Sequence, residues 1–86
     1  MANLIVEHEW KEKNKEEAFK VVGSIVEMAK NSKLPAGFKL QSIQVLGSEN
    51  KAICNWEAPS KNDMIGLLKQ VNPPTKHTVF EAQKLF

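Results

Sequence analysis

The sequence predicts an α+β fold in which the order strand, helix, strand, strand, helix, strand fills nearly all of the 86 residues. Two observations carry this prediction. Apolar and polar residues alternate in several short segments, and apolar residues recur at spacings of three and four in two longer ones. One domain, residues 1–86, is expected, with a modest core because so short a chain can bury only about 60 to 65% of its unfolded surface.

The first strand and the first helix follow from their patterns. Residues 4–10 alternate with the period of a half-buried strand. One side holds Leu4, Val6, His8 and Trp10, and the other holds Ile5, Glu7 and Glu9. Asn14 and Glu17 have the spacing of a capping box, so a helix is expected to start there. Its apolar stripe is Ala18, Phe19, Val22, Ile25, Val26 and Ala29, and the segment 34–37, which contains Pro35 and Gly37, ends it.

A hairpin is predicted in the middle of the chain. Residues 38–46 form the second strand, whose facing is ambiguous because its apolar residues fall in both parities. The turn 47–50, Gly-Ser-Glu-Asn, tolerates positive φ. Residues 51–57 form the third strand. One of its sides holds Ala52, Cys54 and Trp56, and the other holds Ile53, Asn55 and Glu57.

The last third predicts a second helix and a final strand. Ser60 is a good N-cap with Asp63 three residues later. Met64, Leu67, Leu68 and Val71 then follow helical spacing. Asn72-Pro73-Pro74 is expected to end the helix, and residues 76–85 to form a strand.

Right-handed connections would arrange these elements as a ferredoxin-like sandwich, a four-stranded antiparallel sheet of order 4-1-3-2 with both helices on one face. Strands one and three are expected to be central and parallel, so that their carboxyl ends meet beside the start of strand four. The predicted result is one rim near the N-termini of both helices, whose free amides favour anions. The rim residues are His8, Trp10, Trp56, Glu57 and His77.

The second face of the sheet has no helix to cover it. If Leu4, Val6, Ala52, Cys54 and Trp56 face the helices, the open face carries Ile5, Glu7, Glu9, Ile53, Asn55 and Glu57. This mixture of apolar and polar side chains suits a small cavity or a dimer formed sheet to sheet. It also suits plain exposure to water, which is common for one-sided antiparallel sheets.

Composition excludes several classes of function. The net charge is only +2, and the basic residues are all lysines, scattered among glutamates. Arginine, whose planar fork reads guanine and phosphate, is absent, so nucleic-acid binding is not expected. No apolar run approaches the roughly 18 residues of a membrane span, and the N-terminus has no signal-peptide pattern, so a cytoplasmic location is expected. The single Cys54 is expected to be a buried small hydrophobe.

One segment carries a family resemblance. The run 51–60, KAICNWEAPS, followed by a short helix and a strand, resembles small uncharacterised members of the dimeric α/β-barrel superfamily, which includes antibiotic-biosynthesis-type monooxygenases and muconolactone-isomerase-like proteins. The resemblance implies ferredoxin-like protomers that pair sheet to sheet into a barrel around any ligand pocket. His8 is similar in position to a histidine of some of these small proteins, for which metal binding has been considered. Val6 stands where an acidic partner of that histidine would be expected. No haem or flavin motif is visible, so no cofactor is expected.

Three functional hypotheses follow. The leading one is a cytoplasmic homodimer that binds a small molecule or a partner through its sheet face, with no assigned catalysis. The second is a cofactor-independent monooxygenase or isomerase with its site in the dimer barrel and a set such as His8, Asn55 and Glu57 converging there. The third is a metal-binding module using His8 and His77. The candidate ligand-binding residues are His8, Trp10, Asn55, Trp56, Glu57 and His77. The sequence leaves open whether the protein is an enzyme.

Overall fold

The computed structural model describes residues 2–71, 75–83 and 85. The elements are β1 (Ala2–Glu9), α1 (Lys15–Lys30), β2 (Lys39–Leu46), β3 (Lys51–Ala58), α2 (Lys61–Val71) and β4 (Lys76–Ala82). Short 3-10 turns at Glu12–Asn14 and Gly47–Glu49 precede α1 and β3. The predicted order of elements is confirmed, although β4 ends at Ala82 and not at residue 85. The predicted stop of α2 at Asn72-Pro73-Pro74 lies outside the described residues.

The sheet has the order β2-β3-β1-β4, which confirms the ferredoxin-like α+β fold. The prediction that β1 and β3 run parallel is wrong, because they pair antiparallel with Ala2 opposite Ala58 and Glu9 opposite Lys51. The β1–α1–β2 connection passes over one strand position and leaves β1 and β2 parallel. The hairpin then reverses the chain, so β3 runs against both of its neighbours. The carboxyl end of β1 therefore meets the start of β3.

The core lies between the sheet and the two helices. The predicted helix-facing residues of β1 and β3 are all buried: Leu4, Val6, Ala52, Cys54 and Trp56. Ala18 and Ile25 from α1 and Met64 and Leu68 from α2 complete this layer. Phe19, which the helical stripe placed in the core, is 40% exposed. The alternation in the central strands thus identified the buried face correctly.

Strand β2 contains a bulge that explains its ambiguous pattern. Leu40 lies opposite Trp56, whereas Ser42 lies opposite the next residue of β3, Asn55, so Gln41 is an extra residue. One additional residue reverses the alternation of the strand beyond it. Leu40 and Ile43 consequently face the same side although their numbers differ in parity.

The two helices begin differently. At α2, the backbone N–H of Asp63 donates to Ser60 Oγ at 3.1 Å, and Ser60 Oγ donates to Asp63 Oδ2 at 2.8 Å, as the capping pattern predicted. At α1, Asn14 occupies the N-cap position but makes no side-chain capping hydrogen bond. The capping box predicted for Asn14 and Glu17 is therefore wrong in its Asn14 half, because a 3-10 turn leads into the helix there.

Gly37 is expected to be the glycine that is least tolerant of substitution. Its φ is +86°, and an added Cβ would lie 2.8 Å from Pro59 Cγ. Gly37→Ala should lower the free energy of unfolding by about 1–2 kcal/mol, since the left-handed conformation is costly for an L-residue. Gly66→Ala in α2 has open space around its Cβ and should raise stability by about 0.5–1 kcal/mol. Urea unfolding of both variants checks this pair, and equal changes would contradict it.

Candidate functional site

The structure separates the predicted rim residues into two groups. His8 lies opposite Ala52 at the start of β3 and opposite His77 on β4. Trp56 lies opposite Leu4, at the other end of β1. Because β1 and β3 are antiparallel, their carboxyl ends point to opposite ends of the sheet. The predicted single rim is therefore wrong: His8, Trp10 and His77 lie at one end, and Trp56 and Glu57 lie at the other.

His8 and His77 form a cross-strand pair facing the helices. Their ring centroids are 6.3 Å apart with an interplanar angle of 55°. The His8 side chain is 3% exposed, and its Nδ1 lies 3.4 Å from Thr75 Oγ1. Burial, and secondarily the charge of His77, lowers the pKa of His8 to about 4. His8 is thus a neutral imidazole at neutral pH, able to donate or accept a hydrogen bond.

Two buried polar atoms at this end lack a partner among the described residues, namely His77 Nδ1 and Trp10 Nε1. The Trp10 side chain is 7% exposed and belongs to a small buried cluster with Ala18 and Ala52. Its ring meets that of Phe19 edge to face at 5.6 Å between centroids. Buried polar groups are normally satisfied by protein or water. These two orphans therefore point to a group that belongs at this end of the sheet.

Next to Trp10 is a cavity of about 410 Å³, which we call the end cavity. It lies where β1 leads into α1 and where β4 begins. Its lining residues are Glu9, Trp10, Lys11, Lys13, Asn14 and Lys76. Three lysines and one glutamate make the lining predominantly positive. Sequence reasoning placed Trp10 at the site but missed these lysines, whose only signal was their position in the connection after β1 and at the start of β4.

The open face of the sheet carries the polar candidates Asn55 and Glu57. Asn55 Nδ2 donates to Ser42 Oγ at 2.9 Å, and Gln41 Nε2 donates to Glu57 Oε1 at 3.0 Å. A depression of about 270 Å³ lies beside them, with Asn55, Gln41 and Ile5 in its lining. On the same face Lys51 Nζ is 3.6 Å from Glu7 Oε1. This surface is a polar border around an apolar centre.

That centre is formed by Ile5, Ile53 and Phe80, which we call the apolar patch. Phe80 lies directly opposite Ile5, and Ile53 lies diagonally from Ile5, two places from its partner Asn55. The Phe80 side chain is 48% exposed, while the two isoleucines are half-buried. The sequence alone did not predict which side of the sheet Phe80 faces. Its side of the sheet follows only from the pairing of Val79 with Val6 in the core.

The structure brings together the residues of the metal-binding hypothesis but not those of the catalytic one. His8 and His77 do converge, but no group of three or more His, Cys, Asp or Glu side chains suited to a metal is found in residues 2–71, 75–83 and 85. The set His8, Asn55 and Glu57 does not converge, because His8 faces the helices and the other two lie on the open face. Burial raises the pKa of the Cys54 thiol to about 11, consistent with a small core residue.

No helix among the described residues is long and apolar enough to cross a bilayer.

Comparisons with known proteins bear on the fold. No family model matches the chain, and no curated protein matches it. Among solved structures, a crystal structure from Deinococcus radiodurans, described as that of a candidate antibiotic biosynthesis monooxygenase, is similar with a TM-score of 0.50. The two chains are 17% identical, and the match covers 100% of this chain and 96% of the other. The likeness shows that the two chains share the ferredoxin-like fold, which the resemblance in residues 51–60 also implied.

Proposed function

We propose that the protein is a homodimeric binding module whose two copies pair through their open sheet faces. The observation that carries this proposal is the apolar patch of Ile5, Ile53 and Phe80, with Phe80 48% exposed on a face without a helix. Large aromatic side chains on an exposed sheet face are typical of interfaces. Pairing two such faces would bury the patch of each copy and give the modest core of an 86-residue chain additional support.

The ligand proposed for this dimer is a small, mainly apolar molecule held between the sheets. The depression lined by Ile5, Asn55 and Gln41 would be enclosed by the partner's sheet. Small-molecule sites combine an apolar lining with a few fixed polar groups, and the Asn55–Ser42 and Gln41–Glu57 hydrogen bonds hold such groups in place. Asn55 and Glu57 are the residues we expect to contact the ligand.

A cofactor-independent monooxygenase or isomerase is the second candidate. It is favoured by the structural likeness to a protein described as a candidate antibiotic biosynthesis monooxygenase. Catalysis on a small organic substrate would need the enclosure that the dimer provides, because water must be kept from reactive intermediates. A chain that stays monomeric would therefore overturn both candidates.

Phe80→Ser is expected to weaken the dimer about 30-fold. The half-exposed ring would lose about 1 kcal/mol of apolar burial, and the loss counts twice in a two-fold symmetric interface, giving about 2 kcal/mol. Sedimentation equilibrium of the wild type should give twice the mass of one chain, and the variant should dissociate at higher concentration.

Val45→Ser provides the matched control for this experiment. Val45 is 44% exposed, a fraction similar to that of Phe80. It lies opposite Ala52, however, and so belongs to the helix-facing side of β2. It should leave the dimer unchanged. A wild type that is monomeric at high micromolar concentration would contradict the proposal. Equal weakening by the two substitutions would show that the effect is not specific to the open face, which would also contradict the proposal.

A further inference from the structure

We propose that the end cavity is a second binding site, for a small anion bearing carboxylate or phosphate oxygens. It is a different site from the depression lined by Ile5, Asn55 and Gln41, although Glu9 and Lys76 in its lining belong to the open sheet face. The first observation is Trp10 Nε1, a buried atom without a partner among the described residues, on a side chain that is 7% exposed and lines the cavity. An indole N–H can only donate a hydrogen bond. What this site lacks is therefore an acceptor.

The charge of the lining indicates that the acceptor is anionic. Lys11, Lys13 and Lys76 surround the cavity, and Glu9 is the one acidic residue in its lining. All three lysines are exposed, so each is a mobile ammonium group that can close on an anion after it enters. A charged acceptor also forms a stronger hydrogen bond with the indole N–H than a neutral one does.

The start of α1 adds to the same site. Asn14 lines the cavity and occupies the N-cap position of α1 without capping it through its side chain. The 3-10 turn at Glu12–Asn14 already supplies acceptors for the first amides, since the Asn14 N–H donates to the Lys11 carbonyl and the Lys15 N–H donates to the Glu12 carbonyl. What this end of the helix adds is the positive end of its dipole, which favours negative charge. Glu16 and Glu17 also lie in the first turn of α1, but neither is in the cavity lining.

Trp10 is held in position before any ligand arrives. Its backbone N–H donates to the carbonyl of Asn50 at 3.1 Å, and its ring packs edge to face on Phe19. Lys15 Nζ lies 5.9 Å from the centroid of that Phe19 ring. A fixed donor loses little conformational entropy on binding. The position of Trp10 is thus fixed, while an anion that bonds to the buried Nε1 needs a small movement of the groups around it.

Two-dimensional ¹⁵N NMR of the indole groups tests the proposal directly. The chain has two tryptophans, Trp10 and Trp56, and Trp56 lies at the opposite end of the sheet, so its indole signal is an internal control. We would titrate the protein with inorganic phosphate in one arm and sodium acetate in the other, with sodium chloride at equal ionic strength as the reference. The Trp10 indole signal should shift saturably in at least one arm, while the Trp56 signal stays in place.

Variants separate a built site from a general charge effect. Lys13→Gln with Lys76→Gln should weaken binding about fivefold, a modest effect because water and salt screen exposed charges. Lys30→Gln with Lys33→Gln makes the same change in charge at the other end of α1 and should leave affinity unchanged. Trp10→Phe removes the donor and keeps an aromatic ring. It should also weaken binding. Because this variant has no indole at position 10, the backbone amide signal of Asn14 would be used to measure it.

Two results would overturn the proposal. One is the absence of a saturable Trp10 shift in both arms, which would mean that only water satisfies the indole. The other is equal weakening by the two lysine pairs, which would mean that the anion responds to net charge. Repeating the titration with Phe80→Ser keeps the test independent of the dimer, because binding to the end cavity should be the same in that variant.

Discussion

Trp56→Ala is expected to lower the free energy of unfolding by about 3–5 kcal/mol, the usual cost of truncating a large buried aromatic. The Trp56 side chain is 3% exposed in the main core, and its ring meets Phe38 edge to face at 6.5 Å between centroids. The free energy of unfolding of a small domain is only about 5–15 kcal/mol in total, so the variant would retain little stability. Urea unfolding followed by far-UV circular dichroism measures it.

The matched control for Trp56 is Phe80→Ala. Both side chains are aromatic and lie on strands of the same sheet, but Phe80 is 48% exposed, so its truncation should cost less than about 1 kcal/mol in the isolated chain. The sequence suggested Trp56 as a ligand-binding residue, which stays a prediction, and Trp56 does line the depression beside Asn55; its burial gives it a packing role as well. A Trp56→Ala protein of nearly wild-type stability that had lost a ligand would contradict this interpretation.

Acidification is expected to destabilise the protein through His8, by about 3 kcal/mol once the pH is below 4. Burial lowers the pKa of His8 in the folded chain to about 4, compared with the usual 6.5 of histidine. Between these values the unfolded chain binds a proton that the folded chain does not, so stability is full above pH 6.5 and falls as the pH drops towards 4. Urea midpoints measured from pH 8 to pH 4 give this dependence.

His8→Leu provides the control for the pH series. It removes the titrating group at a position that is 3% exposed, so the slope between pH 6.5 and 4 should become smaller. On the neighbouring strand the titratable side chain facing His8 is His77, and Cys54 on β3 does not titrate in this range because its pKa is raised to about 11. An unchanged slope in His8→Leu would assign the effect to another group.

Much of the fold could be predicted because the helical and strand patterns are strong. Alternation in β1 and β3 identified the helix-facing residues, and Ser60 with Asp63 marked the start of α2. Strand direction could not be obtained this way, because alternation is the same whichever way a strand runs. Direction follows from the connections, because a helical crossover leaves the two strands that it joins parallel whereas a hairpin reverses the chain, and that is where the prediction of parallel β1 and β3 failed.

The candidate site was predictable to a smaller extent for the same reason. His8 and His77 were placed together correctly because β4 returns beside β1, whereas Trp56 and Glu57 were assigned to the wrong end with β3. Phe80 was not proposed, since neighbouring apolar residues in β4 leave its facing undetermined without the register. The ligand-binding roles of the six proposed residues stay predictions.

The bulge at Gln41 has a consequence for how copies of this chain can meet. β2 is an edge strand, and an edge with a free row of amides and carbonyls invites another strand to add to it. A bulge bends and twists such an edge, which makes regular continuation of the hydrogen-bond ladder unfavourable. The extra residue therefore protects β2 against the first step of fibril-like growth. It leaves the open face of the sheet as the surface on which association can be selective.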